Sequence, residues 1–151
     1  MHLFCIKEII MDIKRAIQNH GLKVTPQRRL VLSTMKELGH ATIDELISRI
    51  QAKNPEVTIS TIYRIIDSFC SSKLLSRFTQ PDGKVMLDIN TSEHIHIFND
   101  NANVADYIDS DLIELIKQRL VRQIGKDEII DKISVQIITI NKLFIFKTLQ
   151  S

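Results

Sequence analysis

Cysteine is almost missing from this chain. Of 151 residues only Cys5 and Cys70 are cysteine, and each stands alone in an apolar stretch of helical spacing. Two isolated thiols rule out a disulfide framework and are expected as buried, reduced side chains of a cytoplasmic protein. No apolar run approaches the length needed to cross a bilayer, so no membrane partner is expected. The opening MHLFCIKEII has its apolar stretch broken by Lys7 and Glu8 and lacks a small-residue cleavage site, which argues against secretion. No internal repeat or low-complexity segment is found. A net charge of +2 is too small to imply a nucleic-acid partner by itself.

What is present is enough apolar material, 44%, to bury a sizeable core in one compact domain or two small ones. Charge is unevenly spread. Residues 1–91 hold 13 Lys/Arg against 9 Asp/Glu, whereas residues 92–151 hold 7 against 9. A basic front half joined to an acidic back half suits a DNA reader attached to something else.

The front half is a series of short, well-punctuated helices. Ile6, Ile9, Ile10, Ile13 and Ile17 share one face, so Phe4 to Asn19 reads as a helix. Thr25-Pro26 is an N-cap followed by proline at the first helical position, and Val31, Met35 and Leu38 then form a stripe that runs up to Gly39. Thr42 and Glu45 make a capping box in front of Ile43, Leu46, Ile47 and Ile50. In PEVTISTIYRIIDSF, residues 55–69, Ile62, Ile65, Ile66 and Phe69 repeat at i, i+3, i+4 and i+7 and supply a buried back. The opposite face carries Ser60, Thr61, Tyr63, Arg64 and Asp67. Small hydroxyls, an aromatic and an arginine suit phosphates and base edges better than a merely solvated surface does. LLSRFTQ and KVMLDI flank Pro81-Asp82-Gly83 as a β-hairpin. Three helices and a hairpin make a winged helix-turn-helix, whose third helix enters the major groove.

A boundary is expected near Asn90-Thr91-Ser92, giving a winged DNA-binding domain over residues 1–90 and a second domain over 91–151. The expected fold class is α+β, with a winged helix-turn-helix followed by a small α/β domain. HIHIF and NVADYI read as strands separated by Asn99-Asp100-Asn101. Asp111 to Ile124 reads as a helix with Leu112, Leu115, Ile116 and Leu120 inward and Gly125 ending it, and KISVQIITIN as a further strand. One helix on a small sheet buries too little to stand alone, so this half is expected to form a homodimer. A dimer would place two recognition helices on double-stranded DNA with two-fold-related half-sites.

His94-Ile95-His96 on a strand points both imidazoles to one face, a common way to present two metal ligands. His40, Asp88 and Asp106 are further candidates. Nitrogen and carboxylate donors together suit Fe(II), Mn(II) or Zn(II) rather than Cu(I).

GLKVTPQRRLVLSTMKELGHATIDELISRI, the TISTIYRIIDSF segment and the surroundings of His94 and His96 resemble the ferric uptake regulator family of bacterial metal-responsive repressors. The resemblance runs roughly from Met11 to Ile140, and GLKVTPQR and Thr-Ile-Tyr-Arg are its most specific pieces. It implies a transcription regulator rather than an enzyme, acting on metal-uptake or oxidative-stress genes. It implies Tyr63 and Arg64 on bases and phosphates, Ser60 and Thr61 on phosphate, and Lys23 and Arg28 near the backbone or minor groove, with Arg29 competing for the role of Arg28. It also implies His40, Asp88, His94, His96 and Asp106 as the regulatory metal site, with spacing similar to the peroxide-sensing branch. Asp106 matches only if one residue is deleted in the Asn99–Asn103 turn; otherwise Tyr107 takes the position. Met11-Asp12-Ile13-Lys14 resembles the usual family start, so either translation begins at Met11 in part or the first ten residues are a dispensable extension.

Two departures stand out. The family's Cys-x-x-Cys pair aligns with Asn99 and Ala102, and no cysteine follows Cys70, so no structural four-cysteine zinc is expected. No histidine follows His96, so the family's secondary site also lacks matches. The dimer would then need other support, such as the apolar KLFIFKTL segment. Two other readings compete: a zinc enzyme using His94, His96 and a carboxylate, and a winged-helix DNA-binding dimer that has lost metal sensing and answers to another ligand or partner.

Overall fold

A computed structural model of the chain describes residues 12–89, 93–98, 104–124, 129–130 and 133–139. The chain divides into two compact units, residues 1–91 and 92–151.

The first unit opens with α1, helical over residues 12–19 among the described residues, and buries Ile13 and Ile17. Cys5, Ile6, Ile9 and Ile10, expected on the same helix, lie outside the described residues. Helix α2 (Pro26–Leu38) starts where expected, with the Thr25 side chain accepting a hydrogen bond from the Arg28 N–H at 3.2 Å. It stops at Gly39, whose φ of 70° suits a residue without a Cβ and whose N–H reaches the Met35 carbonyl at 2.8 Å. Helix α3 (Ile43–Lys53) has the Thr42–Glu45 capping box formed in both directions. Helix α4 (Ile59–Ser71) begins at Ile59 behind an N-cap Thr58, so Pro55 to Val57 belong to the turn before it. Its stripe of Ile62, Ile65, Ile66 and Phe69 is buried, and it packs with Val31, Leu32, Met35, Leu46 and Ile50 into one core. Each such side chain contributes roughly 1.5–3 kcal/mol by leaving water.

The wing is larger than a hairpin. Strands β2 (Ser76–Thr79) and β3 (Val85–Asp88) flank the expected turn, in which Gly83 takes a φ of 88° and Asp82 accepts the Lys84 N–H at 3.0 Å. A short strand β1 (His40–Thr42) adds to the other edge of β3, so the order is β1-β3-β2. The sequence places His40 in a plain helix-to-helix connection; the ladder makes it a strand residue, directly opposite Asp88.

In the second unit β4 (Ile95–Phe98) is central, antiparallel to β5 (Val104–Tyr107) and parallel to β6 (Val135–Ile138). Helix α5 (Ser110–Val121) lies between β5 and β6 in sequence and supplies the long connection that a parallel pair requires. It differs from expectation at both ends and in its inward face. Asp109 caps it, accepting the Leu112 N–H at 2.8 Å, so it starts a residue earlier than Asp111 and stops before Ile124. Ile113 is the buried residue, while Leu115 and Leu120, expected inward, are 49% and 43% exposed. Lys117, one turn after Ile113, pairs with Glu93 just ahead of β4. Gly125 and the KLFIFKTL segment lie outside the described residues.

Candidate functional site

The outward face of α4 combines three kinds of group. At its N-terminus the Thr58 hydroxyl accepts the Thr61 N–H at 3.3 Å and lies 3.2 Å from Ser60 Oγ and 2.9 Å from Thr61 Oγ1, a cluster of hydroxyls at the positive end of the helix dipole. Tyr63 and Arg64 are exposed opposite the buried stripe. Asp67 pairs with Arg77 of the wing at 2.6 Å, and that bond raises the Arg77 pKa above its ordinary value. The wing is thereby pinned to the helix it flanks.

Lys23 is exposed ahead of α2. Arg28 is half-buried, with Nη1–H donating to the Lys23 carbonyl at 2.8 Å and Nη2–H to Ser68 Oγ at 3.2 Å. Arg29 beside it is exposed.

The five metal candidates fall into two sets. In the first unit, His40 Nε2 lies 3.5 Å from Asp88 Oδ1, an approach set by the β1–β3 register although the residues are far apart in sequence. Asp88 is 1% exposed, unusual for a carboxylate. In the second unit, His96 stands opposite Asp106 in the β4–β5 ladder. Asp106 Oδ1 is 3.2 Å from His96 Nδ1 and 3.4 Å from His94 Nε2, and the two imidazoles meet edge to face at 4.4 Å. Tyr107 is exposed and donates to Asp109 at 3.1 Å, so of the two residues left open by the turn alignment it is Asp106 that faces the imidazoles.

The donor set fits a divalent cation. Bonds of roughly 2.0–2.1 Å to one tetrahedral ion would hold its ligand atoms about 3.3 Å apart, close to the spacing of the Asp106 oxygen from both imidazole nitrogens. Two imidazoles and a carboxylate are also the donor chemistry of Fe(II), Mn(II) and Zn(II) sites.

Sequence reasoning missed Glu93 and Ser68. Glu93 accepts the Ile133 N–H at 3.0 Å with one oxygen and Lys117 with the other, anchoring the start of the histidine strand to α5 and to the approach of β6. Neither residue has a local signal, since each partner is distant in sequence. Thr58 was missed as well, although it had a local signal: a threonine just ahead of an apolar-periodic run is a standard N-cap.

Residues 19–137 match the profile of the Ferric uptake regulator family. The chain belongs to that family. Members of this family are transcription regulators. Among curated relatives, the Peroxide operon regulator of Bacillus subtilis is 28% identical over 97 residues; the match spans 64% of each chain, just under two thirds of that relative's length. Among solved structures, the Campylobacter jejuni peroxide stress regulator shares 28% identity with a TM-score of 0.66, over 84% of this chain and 94% of its own. The ferric uptake regulator of Francisella tularensis, solved with iron, shares 26% identity with a TM-score of 0.64, over 82% and 94%. No described helix of the chain is long and apolar enough to cross a membrane.

Proposed function

We propose that this protein is a cytoplasmic, metal-responsive repressor that binds double-stranded DNA with two-fold-related half-sites as a homodimer, and that it controls metal-uptake or oxidative-stress genes. The observation that carries this reading is the convergence of His94, His96 and Asp106 on one point, with His40 set against buried Asp88 by the wing ladder. In this reading the five residues hold one Fe(II), Mn(II) or Zn(II) ion. Donors come from both the winged unit and the second unit, so the ion's binding energy favours whichever arrangement of the recognition helices brings all five together.

DNA is read by Tyr63 and Arg64, with Ser60 and Thr61 on phosphate at the α4 N-terminus and Lys23 on the backbone or minor groove. The winged unit is the DNA-binding domain and the second unit the dimerisation and regulatory domain. Support for the dimer is the apolar surface of the second unit: Leu115, Leu120, Val121, Ile137 and Ile138 are all exposed in the single chain. No structural zinc enters this scheme, because no cysteine pair is available.

The test is a DNA-binding titration with Fe(II), Mn(II), Zn(II) and a chelator side by side, on wild type and on the His96→Ala/Asp88→Ala double variant. Metal should strengthen wild-type binding roughly 5–150-fold, the range of a typical coupling energy, and leave the double variant unmoved. Identical affinity with and without metal in both proteins rejects the metal switch. A winged-helix dimer responding to another ligand or partner, the reading favoured by the missing thiolates, would then replace it.

A further inference from the structure

We infer that Arg28 is a positioning residue for the DNA-reading helix and not itself a DNA contact, an inference that rests on the regulator reading above. Its guanidinium donates to the Lys23 carbonyl and to Ser68 Oγ, so one planar fork joins the segment ahead of α2 to the body of α4. Both ends of the fork matter. Lys23 carries an exposed cation. Ser68 lies four residues after Arg64 and seven after Thr61, on the same strip of α4. The brace therefore sets the spacing between two groups proposed to touch DNA, one turn away from Arg64.

Helix stability does not explain an arginine at this position. Arg28 is the third residue of α2, where a cation opposes the helix dipole. The two hydrogen bonds explain it, and their geometry selects arginine: a guanidinium presents donors in a rigid fork, whereas a lysine ammonium is a point charge on a flexible stem. Arg29, exposed in the same turn, is the cation left to meet phosphate.

The test uses the full chain and the duplex that wild type enriches from a random-sequence library, titrated across a series of salt concentrations. Arg28→Ala, Arg28→Lys, Ser68→Ala and the Arg28→Ala/Ser68→Ala double variant are compared with wild type and with Arg64→Ala, after circular dichroism shows each to be folded. Positioning predicts that Arg28→Ala and Arg28→Lys weaken specific binding alike, by roughly 2- to 10-fold, the scale of one net hydrogen bond. The slope of log affinity against log salt and the non-specific binding stay at wild-type values. Ser68→Ala, which removes no charge, weakens binding in the same direction and carries the test alone if the Arg28 variants do not fold; the double variant is no worse than Arg28→Ala.

A salt slope smaller by about one in Arg28→Ala, with Arg28→Lys binding as wild type does, is the signature of a phosphate contact and overturns the inference. Wild-type affinity in Ser68→Ala overturns it too, as does a loss of thermal stability in these variants without any loss of specific binding. A wild-type protein that enriches no duplex, or an Arg64→Ala variant that binds as wild type does, defeats the regulator reading itself and the inference with it.

Discussion

The two units solve the problem of burying apolar surface differently. In residues 1–91, α4 places Ile62, Ile66 and Phe69 at 0% exposure and Ile65 at 8%, against partners from three other helices. In residues 92–151, α5 buries Ile113 but leaves Leu115, Leu120 and Val121 in water, and β6 leaves Ile137 and Ile138 likewise. A unit that closes its own core is stable as a monomer; one that does not is shaped for a surface elsewhere. In the proposed regulator, this contrast puts rigidity in the half that would read DNA and association in the half that carries the histidine strand.

The sharpest way to break this contrast is to open the closed core. Phe69→Ala should destabilise the protein by about 3–5 kcal/mol, because a fully enclosed ring leaves a cavity its neighbours cannot fill. Ile113→Ala should cost only about 2 kcal/mol, since its helix is mostly solvated and can settle. Equal losses in urea titrations of the two variants would remove the distinction between the units.

Association comes next in size. Leu120→Ser should weaken the dimer by about 1.5–3 kcal/mol per protomer, the scale of burying a leucine, read by light scattering across a dilution series. The wild-type dimer should be indifferent to EDTA. A monomeric wild type at micromolar concentration would show that the exposed leucines serve another purpose.

A substitution outside any core should separate binding from folding. Arg64→Ala is expected to lose about 1–3 kcal/mol of specific DNA affinity with its unfolding curve unchanged, because Arg64 projects opposite the buried stripe of α4. A shifted unfolding curve with intact binding would reverse the roles of the two faces.

The smallest effect concerns Cys70. Burial pushes its thiol pKa up, with Asp67 adding to the rise and Arg77 opposing it. The folded state therefore holds the proton more tightly than the unfolded chain, and the stability this lends is complete below the unfolded value and lost as pH rises through the folded one. Near the ordinary thiol pKa of about 8.5, iodoacetamide should modify Cys70 more slowly in the native protein than in urea. Equal rates would show that the thiol is as accessible as in the unfolded chain.

Local chemistry was legible wherever a rule acts over a few residues. The Thr25 and Thr42 caps, the Gly39 stop, the turn at Asp82-Gly83 and the α4 stripe all follow from spacing and capping, because their energies are decided within one or two turns of chain. The inward face of α5 was not legible in the same way. Its leucines permit more than one apolar stripe, and the packing that buries Ile113 and leaves Leu115 and Leu120 exposed is not set within one or two turns of chain.

The sequence by itself determined the α+β class, the winged arrangement and the presence of an H-x-H strand. Only the tertiary structure decided which residues meet. The β1–β3 ladder brought His40 to Asp88, and the β4–β5 register turned Asp106 rather than Tyr107 toward the imidazoles. The forked reach of Arg28 joined Lys23 to Ser68. In each case it is the strand register or the helix packing that fixes the distance between the partners.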